Sequence, residues 1–179
     1  QDIKDYSQEA LRKSIGLVLQ EPFLYHGTIA SNIRMYHEEL TDEEIRQAAA
    51  FVDVADFIES LPGGYDHPVT ERGSTLSTGQ RQLLAFARTI AAQPKILILD
   101  EATANIDQET EEMIQNSLKK MRQGRTTIAI AHRLSTIQDA DCIYVLDKGK
   151  IIESGNHDQL IALGGTYKKM YDLQAGMMK

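Results

Sequence analysis

Short apolar runs along the chain alternate with stretches in which apolar residues recur at helical spacing. Ile15–Leu19 and the β-branched run Thr126–Ala131 are predicted to be strands. Four consecutive aliphatic residues, Ile96–Leu99, match a strand that is covered on both faces in a parallel sheet. The segment before them has a helical period and predicts a helix with one buried face, formed by Leu83, Leu84, Ala87, Ile90 and Ala91.

The remaining elements are predicted from caps, breakers and turn residues. Residues 1–14 are polar and helix-like, and Thr41–Glu44 supplies the acidic first turn of another helix. Gly149 predicts the turn of a β-hairpin. Further helices are predicted at Val54–Leu61, between Asp107 and Gly124, at Asp158–Leu163 and at Tyr167–Gln174, and the hairpin strands at Cys142–Leu146 and Lys150–Glu153.

The sequence LSTGQ, residues 76–80, opens the helix that Pro94 ends. Ser77 and Gln80 match the capping box S-x-x-Q. A helix N-terminus presents free N–H groups and a partial positive charge, which suit a phosphate, and Gly79 allows a ligand to approach the backbone closely. The cap alone more often marks an ordinary helix, so its meaning depends on the residues that follow.

Two carboxylates, Asp100 and Glu101, follow the aliphatic strand directly. Open α/β sheets bind their ligands at the carboxyl ends of the strands. Adjacent carboxylates there are typical of a metal–phosphate site, in which the Asp holds Mg²⁺ directly or through water and the Glu orients the attacking water. A single Asp at this position would instead be explained as a loop residue or a helix cap.

Together the two motifs resemble those of the ATP-binding-cassette (ABC) ATPases. LSTGQ is similar to the family's signature motif, usually LSGGQ, and ILILDE, residues 96–101, is similar to its Walker B motif. Residues 20–33 resemble the Q-loop of ABC exporters and the Gly-Thr-Ile and Asn-Ile steps that follow it. Residues 70–73, TERG, resemble the X-loop, which favours an exporter over an importer.

The resemblance implies catalytic and metal-binding roles for four residues. Glu101 would polarise the attacking water, and Asp100 and Gln20 would attend Mg²⁺. His132 would be the switch histidine that contacts the γ-phosphate, although a His at the end of a strand is more often a structural hydrogen-bonding residue. The cofactors implied are therefore ATP and Mg²⁺.

The resemblance also implies residues that serve a second ABC ATPase domain in a head-to-tail homodimer or heterodimer. Ser77, Thr78, Gly79 and Gln80 would face an ATP held by the partner, and Asp107 would contact the opposite protomer besides capping the following helix. Thr78 replaces the usual Gly of the signature and adds a side chain near the phosphate. Residues 104–107, ANID, depart conservatively from the usual SALD.

The fold implied is α/β, a P-loop NTPase core of the RecA-like type with an inserted helical subdomain. We expect residues 20–92 to form the helical subdomain, with the Q-loop and signature, and residues 1–19 and 93–179 to belong to the core. The phosphate-binding loop G-x-x-x-x-G-K-[ST] of the Walker A motif does not occur in this sequence, and in the family it lies upstream of the Q-loop. The N-terminal part of the domain is therefore expected to be missing, the fragment alone to be inactive towards MgATP, and the flank of the Ile96–Leu99 strand to be uncovered.

The function implied is ATP hydrolysis that drives the export of a substrate, by a domain at the cytoplasmic face of a membrane. The second partner is the transmembrane domain of the exporter, for which Phe23, Leu24 and Tyr25 are expected to form an exposed apolar docking surface. One alternative is a soluble ABC-type ATPase of DNA repair or chromosome maintenance, which the lack of coiled-coil heptads disfavours. Another is a non-catalytic interaction fragment.

Composition narrows these alternatives only slightly. A formal net charge of −7 argues weakly against a nucleic-acid partner. The apolar runs are too short to span a bilayer. Cys142 is the single cysteine, so no internal disulfide forms, which fits a reducing cytoplasm, and it is expected to be a small buried residue in a strand.

Overall fold

The computed structural model describes residues 2–101, 108–131 and 133–177. Within these ranges it leaves undescribed the side chains of Glu101, Gln108, Glu109, Ser135 and Met177. The contacts divide the chain into two compact units, Gln1–Ile130 and Ala131–Lys179, and each unit is treated by itself below.

A three-stranded sheet lies in the first unit, with the α/β character that the sequence predicts. Its strands follow the order β1, β4, β5, with β1 at Ile15–Val18, β4 at Ile96–Glu101 and β5 at Thr126–Ala131. β1 and β4 are parallel, and their register pairs Ile15 with Ile96 and Val18 with Leu99. The carboxyl ends of these two strands therefore lie side by side.

Backbone hydrogen bonds also align the amino ends of the strands. The N–H of Lys95 donates to the carbonyl of Ser14 at 3.0 Å, and the N–H of Thr126 donates to the carbonyl of Lys95 at 3.3 Å. All three strands therefore begin at the same edge of the sheet. Because β4 is the central strand, the expectation that its flank would be uncovered is wrong.

The exposed apolar surface of the sheet lies on one of its faces. Leu97 and Leu99 of β4 are fully buried against the core, and Ala129 of β5 packs against the same cluster. Side chains alternate between faces along a strand, so Leu17 and Ile128 point to the other side, where they are 52% and 56% exposed.

Helices pack around the other face of the sheet. The central helix is α5, Thr78–Ala91, and its residues Leu84, Phe86 and Ala87 are at most 1% exposed. The apolar period of this segment thus correctly predicted a helix with a buried face. The other helices of this unit are α1 (Gln8–Ser14), α2 (Ile29–Arg34), α3 (Asp42–Phe51), α4 (Ala55–Ser60) and α6 (Gln108–Arg122).

Local hydrogen bonds fix where several of these helices begin. Thr41 and Glu44 form a capping box at α3, which explains the acidic first turn seen in the sequence. Thr28 and Ser31 form another at α2. Two short strands, β2 (Gly27–Thr28) and β3 (Pro68–Val69), pair antiparallel, and short 3₁₀ turns occur at Ile3–Asp5, Gly64–Asp66 and Glu71–Gly73.

The second unit contains an antiparallel hairpin and two helices. The hairpin strands are β6 (Ile143–Asp147) and β7 (Lys150–Gly155), and a 3₁₀ turn at Leu134–Ile137 lies before them. The helices are α7 (His157–Leu163) and α8 (Thr166–Met177). Tyr167 is 1% exposed in a small core with Ile143 and Leu160. The carboxylate of Glu153 accepts the N–H groups of Thr166 and Tyr167 and so caps α8 from the hairpin.

The element predictions are largely confirmed, with boundary shifts of a few residues. β1 ends at Val18 rather than Leu19, and α8 extends beyond the predicted Tyr167–Gln174. The expectation of a buried Cys142 is wrong: it directly precedes β6 and is exposed, because Ile143 and Val145 occupy the inward positions of that strand. Among the described residues, no helix has the length and apolar character needed to cross a membrane.

Candidate functional site

The predicted capping box at the start of α5 is present. The N–H of Gln80 donates to the hydroxyl of Ser77 at 3.1 Å, and the side-chain oxygen of Gln80 accepts the N–H of Ser77 at 2.8 Å. Both side chains thus hold the first turn in place. Their hydrogen bonds are local, so the same two residues can be recognised from their spacing alone.

Two backbone donors remain open in the first turn of α5. The N–H groups of Thr78 and Gly79 have no hydrogen-bond partner among the described residues. The next N–H, of Arg81 onto the carbonyl of Ser77, already belongs to the helical pattern. Unpaired donors at the positive end of a 14-residue helix are suited to an anion.

The side chain of Thr78, which replaces the usual glycine, is held by a neighbour. Arg81 donates from one guanidinium nitrogen to the Thr78 hydroxyl at 3.1 Å and from the other to the carbonyl of Leu76 at 2.6 Å. Thr78 itself is exposed. The hydroxyl is therefore turned along the helix towards Arg81, and the arginine adds positive charge to the same turn.

The carboxylates predicted to bind a metal lie at the end of β4. Since Val18 pairs with Leu99 in the parallel register, Gln20 follows β1 at the same edge where Asp100 and Glu101 complete β4. Gln20 is exposed and Asp100 is half-buried. An amide oxygen and a carboxylate at one sheet edge are hard oxygen donors, which fits Mg²⁺.

The described residues contain no cluster of three or more His, Cys, Asp or Glu side chains that could enclose a metal ion. Mg²⁺ commonly takes one or two protein carboxylates and completes its shell with phosphates and water. The family resemblance implies a partner contact for Asp107 and a γ-phosphate contact for His132, and both residues lie outside the described residues, as does the side chain of Glu101.

The apolar segment after Gln20 differs in one respect from expectation. Phe23 and Tyr25 are exposed by 41% and 46%, with their ring centroids 4.8 Å apart in an edge-on arrangement. The expectation that Leu24 would also be exposed is wrong, because its side chain is fully buried. It lies under the glycine of the predicted X-loop, where a Cβ on Gly73 would come within 2.8 Å of the Leu24 side chain.

Sequence reasoning did not identify the polar contacts that hold this segment. Arg88 of α5 donates to the carbonyl of Phe23 at 3.0 Å, and the side chain of Asn32 bonds both the N–H and the carbonyl of Tyr25 at 2.8 Å. The sequence offered only a weak indication of these contacts, namely an arginine within the apolar repeat of α5 and an asparagine within the short α2. Asn32 is 2% exposed, so it is a buried polar residue with satisfied hydrogen bonds.

A comparison with known protein families agrees with the motifs. A family model described as ABC transporter matches residues 1–104, more than half of the chain. This chain belongs to the ABC transporter family. The resemblance predicted from LSTGQ and ILILDE is therefore confirmed.

Relatives in two bacteria match almost the whole chain. A protein of Streptococcus pneumoniae serotype 4, named as the ABC transporter ATP-binding protein exp8, is 77% identical over 99% of this chain and 30% of its own length. A protein of Bacillus subtilis, YheH, named as a multidrug resistance ABC transporter ATP-binding/permease protein, is 55% identical over 97% of this chain and 26% of its own. This chain thus spans less than a third of these relatives.

A solved structure supports the fold directly. The structure of a bacterial Atm1-family ABC exporter with ATP bound superimposes on 98% of this chain with a TM-score of 0.88, at 44% sequence identity, and the match covers 31% of that protein. The predicted P-loop NTPase fold is therefore confirmed. The exporter-type character inferred from TERG agrees with these relatives.

Proposed function

We propose that this chain is part of the ATP-hydrolysing domain of an ABC exporter, in which ATP hydrolysis drives the movement of a substrate across a membrane. The observation that carries the proposal is the parallel register of β1 and β4, since it brings Gln20 to the sheet edge that bears Asp100 and Glu101. Parallel α/β sheets bind their ligands at this edge. The 77% identity to a protein named as an ABC transporter ATP-binding protein gives independent support.

At the sheet edge, each residue has a separate task. Asp100 and Gln20 provide oxygen ligands for Mg²⁺, which when bound neutralises charge on the transferred phosphate. Glu101 accepts hydrogen bonds from the attacking water and orients it, and His132 contacts the γ-phosphate. The chemistry is hydrolysis, with water as the nucleophile and no covalent enzyme intermediate.

The N-terminus of α5 serves a second nucleotide, held by a partner ATPase domain. Its open N–H groups at Thr78 and Gly79, together with the hydroxyl of Ser77, would donate hydrogen bonds to anionic oxygens of that nucleotide. The side chain of Gln80 is engaged in the capping box, so its contribution is to hold the first turn in place. Asp107 makes the contact across the dimer.

In this function, residues 20–92 act as the helical subdomain and residues 1–19 and 93–179 as part of the nucleotide-binding core. The domain lies at the cytoplasmic face of the membrane, and its two partners are a second ATPase domain and the membrane-spanning part of the exporter. The relatives are named as transporter proteins, which favours this function over DNA repair or chromosome maintenance.

Replacement of Glu101 tests the hydrolysis step. In the full-length exporter, Glu101→Gln is expected to keep ATP binding and to lower turnover by about 10²–10⁴-fold, the usual contribution of a positioned general base. This corresponds to roughly 3–5 kcal/mol of activation barrier. Steady-state phosphate release measures turnover, with Glu112→Gln on the exposed side of α6 as a matched control. Turnover within twofold of the parent would remove Glu101 from this role.

The exposed aromatic pair Phe23 and Tyr25 tests the contact with the membrane-spanning part. After Cys142 has been replaced by serine, a cysteine at Tyr25 is expected to crosslink to cytoplasmic loops of that part through a bifunctional thiol reagent, since exposed aromatic side chains on a loop are typical of a docking surface. A cysteine at the buried Leu24 is the control and is expected to remain unreacted. Crosslinks confined to the ATPase domain would contradict this partner.

A further inference from the structure

The guanidinium of Arg88 is a half-buried cation whose hydrogen-bond acceptors are all neutral oxygens. It donates to the backbone carbonyl of Asn32 at 2.7 Å, to the side-chain oxygen of Asn32 at 3.2 Å and to the carbonyl of Phe23 at 3.0 Å. Within the part of the chain that the structure describes, it pairs with no carboxylate. Burial lowers the pKa of Arg88, yet an arginine remains charged at neutral pH.

Asn32 continues the network from Arg88 to the next residue of the apolar segment. Its side-chain oxygen, which receives Arg88, also accepts the N–H of Tyr25 at 2.8 Å. Its side-chain nitrogen donates to the carbonyl of Tyr25 at 2.8 Å and to the carbonyl of Thr28 at 3.0 Å. The aromatic pair Phe23 and Tyr25 is thus attached through its backbone, whereas its two rings remain exposed.

The residue between them is fixed to the predicted X-loop. The carbonyl of Leu24 accepts the N–H of Arg72 at 3.0 Å, and its buried side chain lies against Gly73. Two consecutive carbonyls, of Phe23 and Leu24, are therefore held by different elements. A shift of this segment must carry these elements with it or break their bonds.

Breaking the contacts of Arg88 is costly for a specific reason. Hydrogen bonds to a charged donor are stronger than those between neutral groups. A half-buried cation that loses its oxygens recovers only part of its solvation from water, and none of the described carboxylates pairs with it. Since α5 is a continuous helix, Arg88 lies roughly 15 Å along its axis from the capped turn at Ser77.

We propose that Arg88, together with Asn32, is a positioning residue that couples the exposed aromatic pair Phe23 and Tyr25 to the N-terminus of α5. A displacement of the pair moves α5 as a rigid element. This movement changes the position of Ser77 and of the open N–H groups of Thr78 and Gly79 relative to a bound nucleotide. This inference rests on the proposed function, because it assigns to the ATPase site a mechanical connection with its docking surface.

A triple-mutant cycle in the full-length exporter tests the coupling. Tyr25→Ala removes the ring but keeps the backbone bonds to Asn32, and Ser77→Ala removes the cap. Effects of distant, independent sites on a rate are multiplicative. We expect the combined effect of these two substitutions on kcat/KM for ATP hydrolysis to differ from the product of the single effects by about fivefold or more. In the Arg88→Met background, the combined effect is expected to differ from that product by less than about twofold.

Arg125→Met is the matched control. Its guanidinium also donates to backbone carbonyls, to Pro94 at 3.1 Å and Met121 at 2.9 Å, but has no contact with the segment around Tyr25. The fivefold deviation is expected to survive this change. If Arg88→Met does not fold, Arg88→Lys replaces it, since it keeps the charge while one ammonium cannot span the same set of oxygens.

The possible results separate the two proposals. Multiplicative effects in the parent protein, or a deviation that survives Arg88→Met or Arg88→Lys, overturn the coupling and leave the ATPase function intact. Loss of the deviation in Arg125→Met as well shows general destabilisation and also overturns it. Absence of ATP hydrolysis in the parent exporter overturns the proposed function itself, and this inference with it.

Discussion

The helices and the sheet of the first unit bury their apolar residues to very different extents. On α5, Leu84 and Phe86 are at most 1% exposed, because α2, α3 and α6 surround that helix. On the sheet, Leu97 is equally buried, but Leu17 and Ile128 are more than half exposed on the opposite face. A comparable apolar side chain is therefore expected to contribute more to the free energy of unfolding on α5 than on the exposed face of the sheet.

The difference reflects how each element is covered. An amphipathic helix needs contacts on one side only, and α2, α3 and α6 provide them for α5. A strand with apolar residues at successive positions needs cover on both faces, which requires elements distant in sequence. The core of helices is formed mostly by residues 29–122, with Val18 and Leu24 packed into it, whereas the sheet has one covered and one exposed face.

Truncation of a leucine in each region provides the strongest contrast. Leu84→Ala, at a fully buried position, is expected to lower the free energy of unfolding by about 2–5 kcal/mol, because it leaves a cavity between helices. Leu17→Ala, on the exposed face, is expected to lower it by less than about 1 kcal/mol. Urea unfolding of the chain at low concentration, followed by circular dichroism, measures both. Equal losses would show that Leu17 is covered in solution.

The exposed sheet face also predicts how the isolated chain behaves. Apolar surface of this kind promotes association, so the chain is expected to be oligomeric or poorly soluble in light scattering. It also lacks the phosphate-binding loop, so isothermal titration is expected to detect no binding of MgATP and phosphate release no hydrolysis.

Polar substitution on that face sharpens the same comparison. Leu17→Thr with Ile128→Thr retains strand-forming residues and is expected to shift the chain towards monomer. Ile3→Thr is the control, since Ile3 is 69% exposed but lies outside the sheet. A monodisperse parent chain that binds MgATP with micromolar affinity would contradict the expectation about the isolated chain.

The smallest expected effect concerns the cap of α5. Ser77→Ala removes the acceptor for the N–H of Gln80 and is expected to cost about 0.5–2 kcal/mol of stability. Ser77→Asp, which supplies another good cap, is expected to recover most of this loss. Thermal unfolding monitored by circular dichroism compares the two. An unchanged midpoint in Ser77→Ala would mean that helix packing alone fixes where α5 begins.

Much of the candidate site was predictable because it depends on short-range patterns. Ser77 and Gln80 are three residues apart, so their capping box follows from local geometry. Asp100 and Glu101 were identified by the aliphatic strand before them. Their proximity to Gln20 required the further expectation of a parallel sheet, which the register of β1 and β4 confirms.

The positions of Leu24 and Arg88 were not predictable in the same way. Both Leu24 and its neighbours Phe23 and Tyr25 are large apolar residues in an irregular segment, where no period distinguishes inward from outward side chains. Arg88 binds Asn32 across 56 positions of sequence, and nothing within α5 indicates that partner.

By itself, the sequence determined most of the elements and placed their ends within a few residues, since helical period, capping and turn residues act through interactions within about four residues of chain. It also determined the family, through motifs that are contiguous. Only the tertiary structure decided that β4 is central, that Leu17 and Ile128 share an exposed face, and that Arg88 holds the Phe23–Tyr25 segment. These features depend on which distant segments meet, and that choice is made by burial and hydrogen bonding over the whole unit rather than by any local stretch.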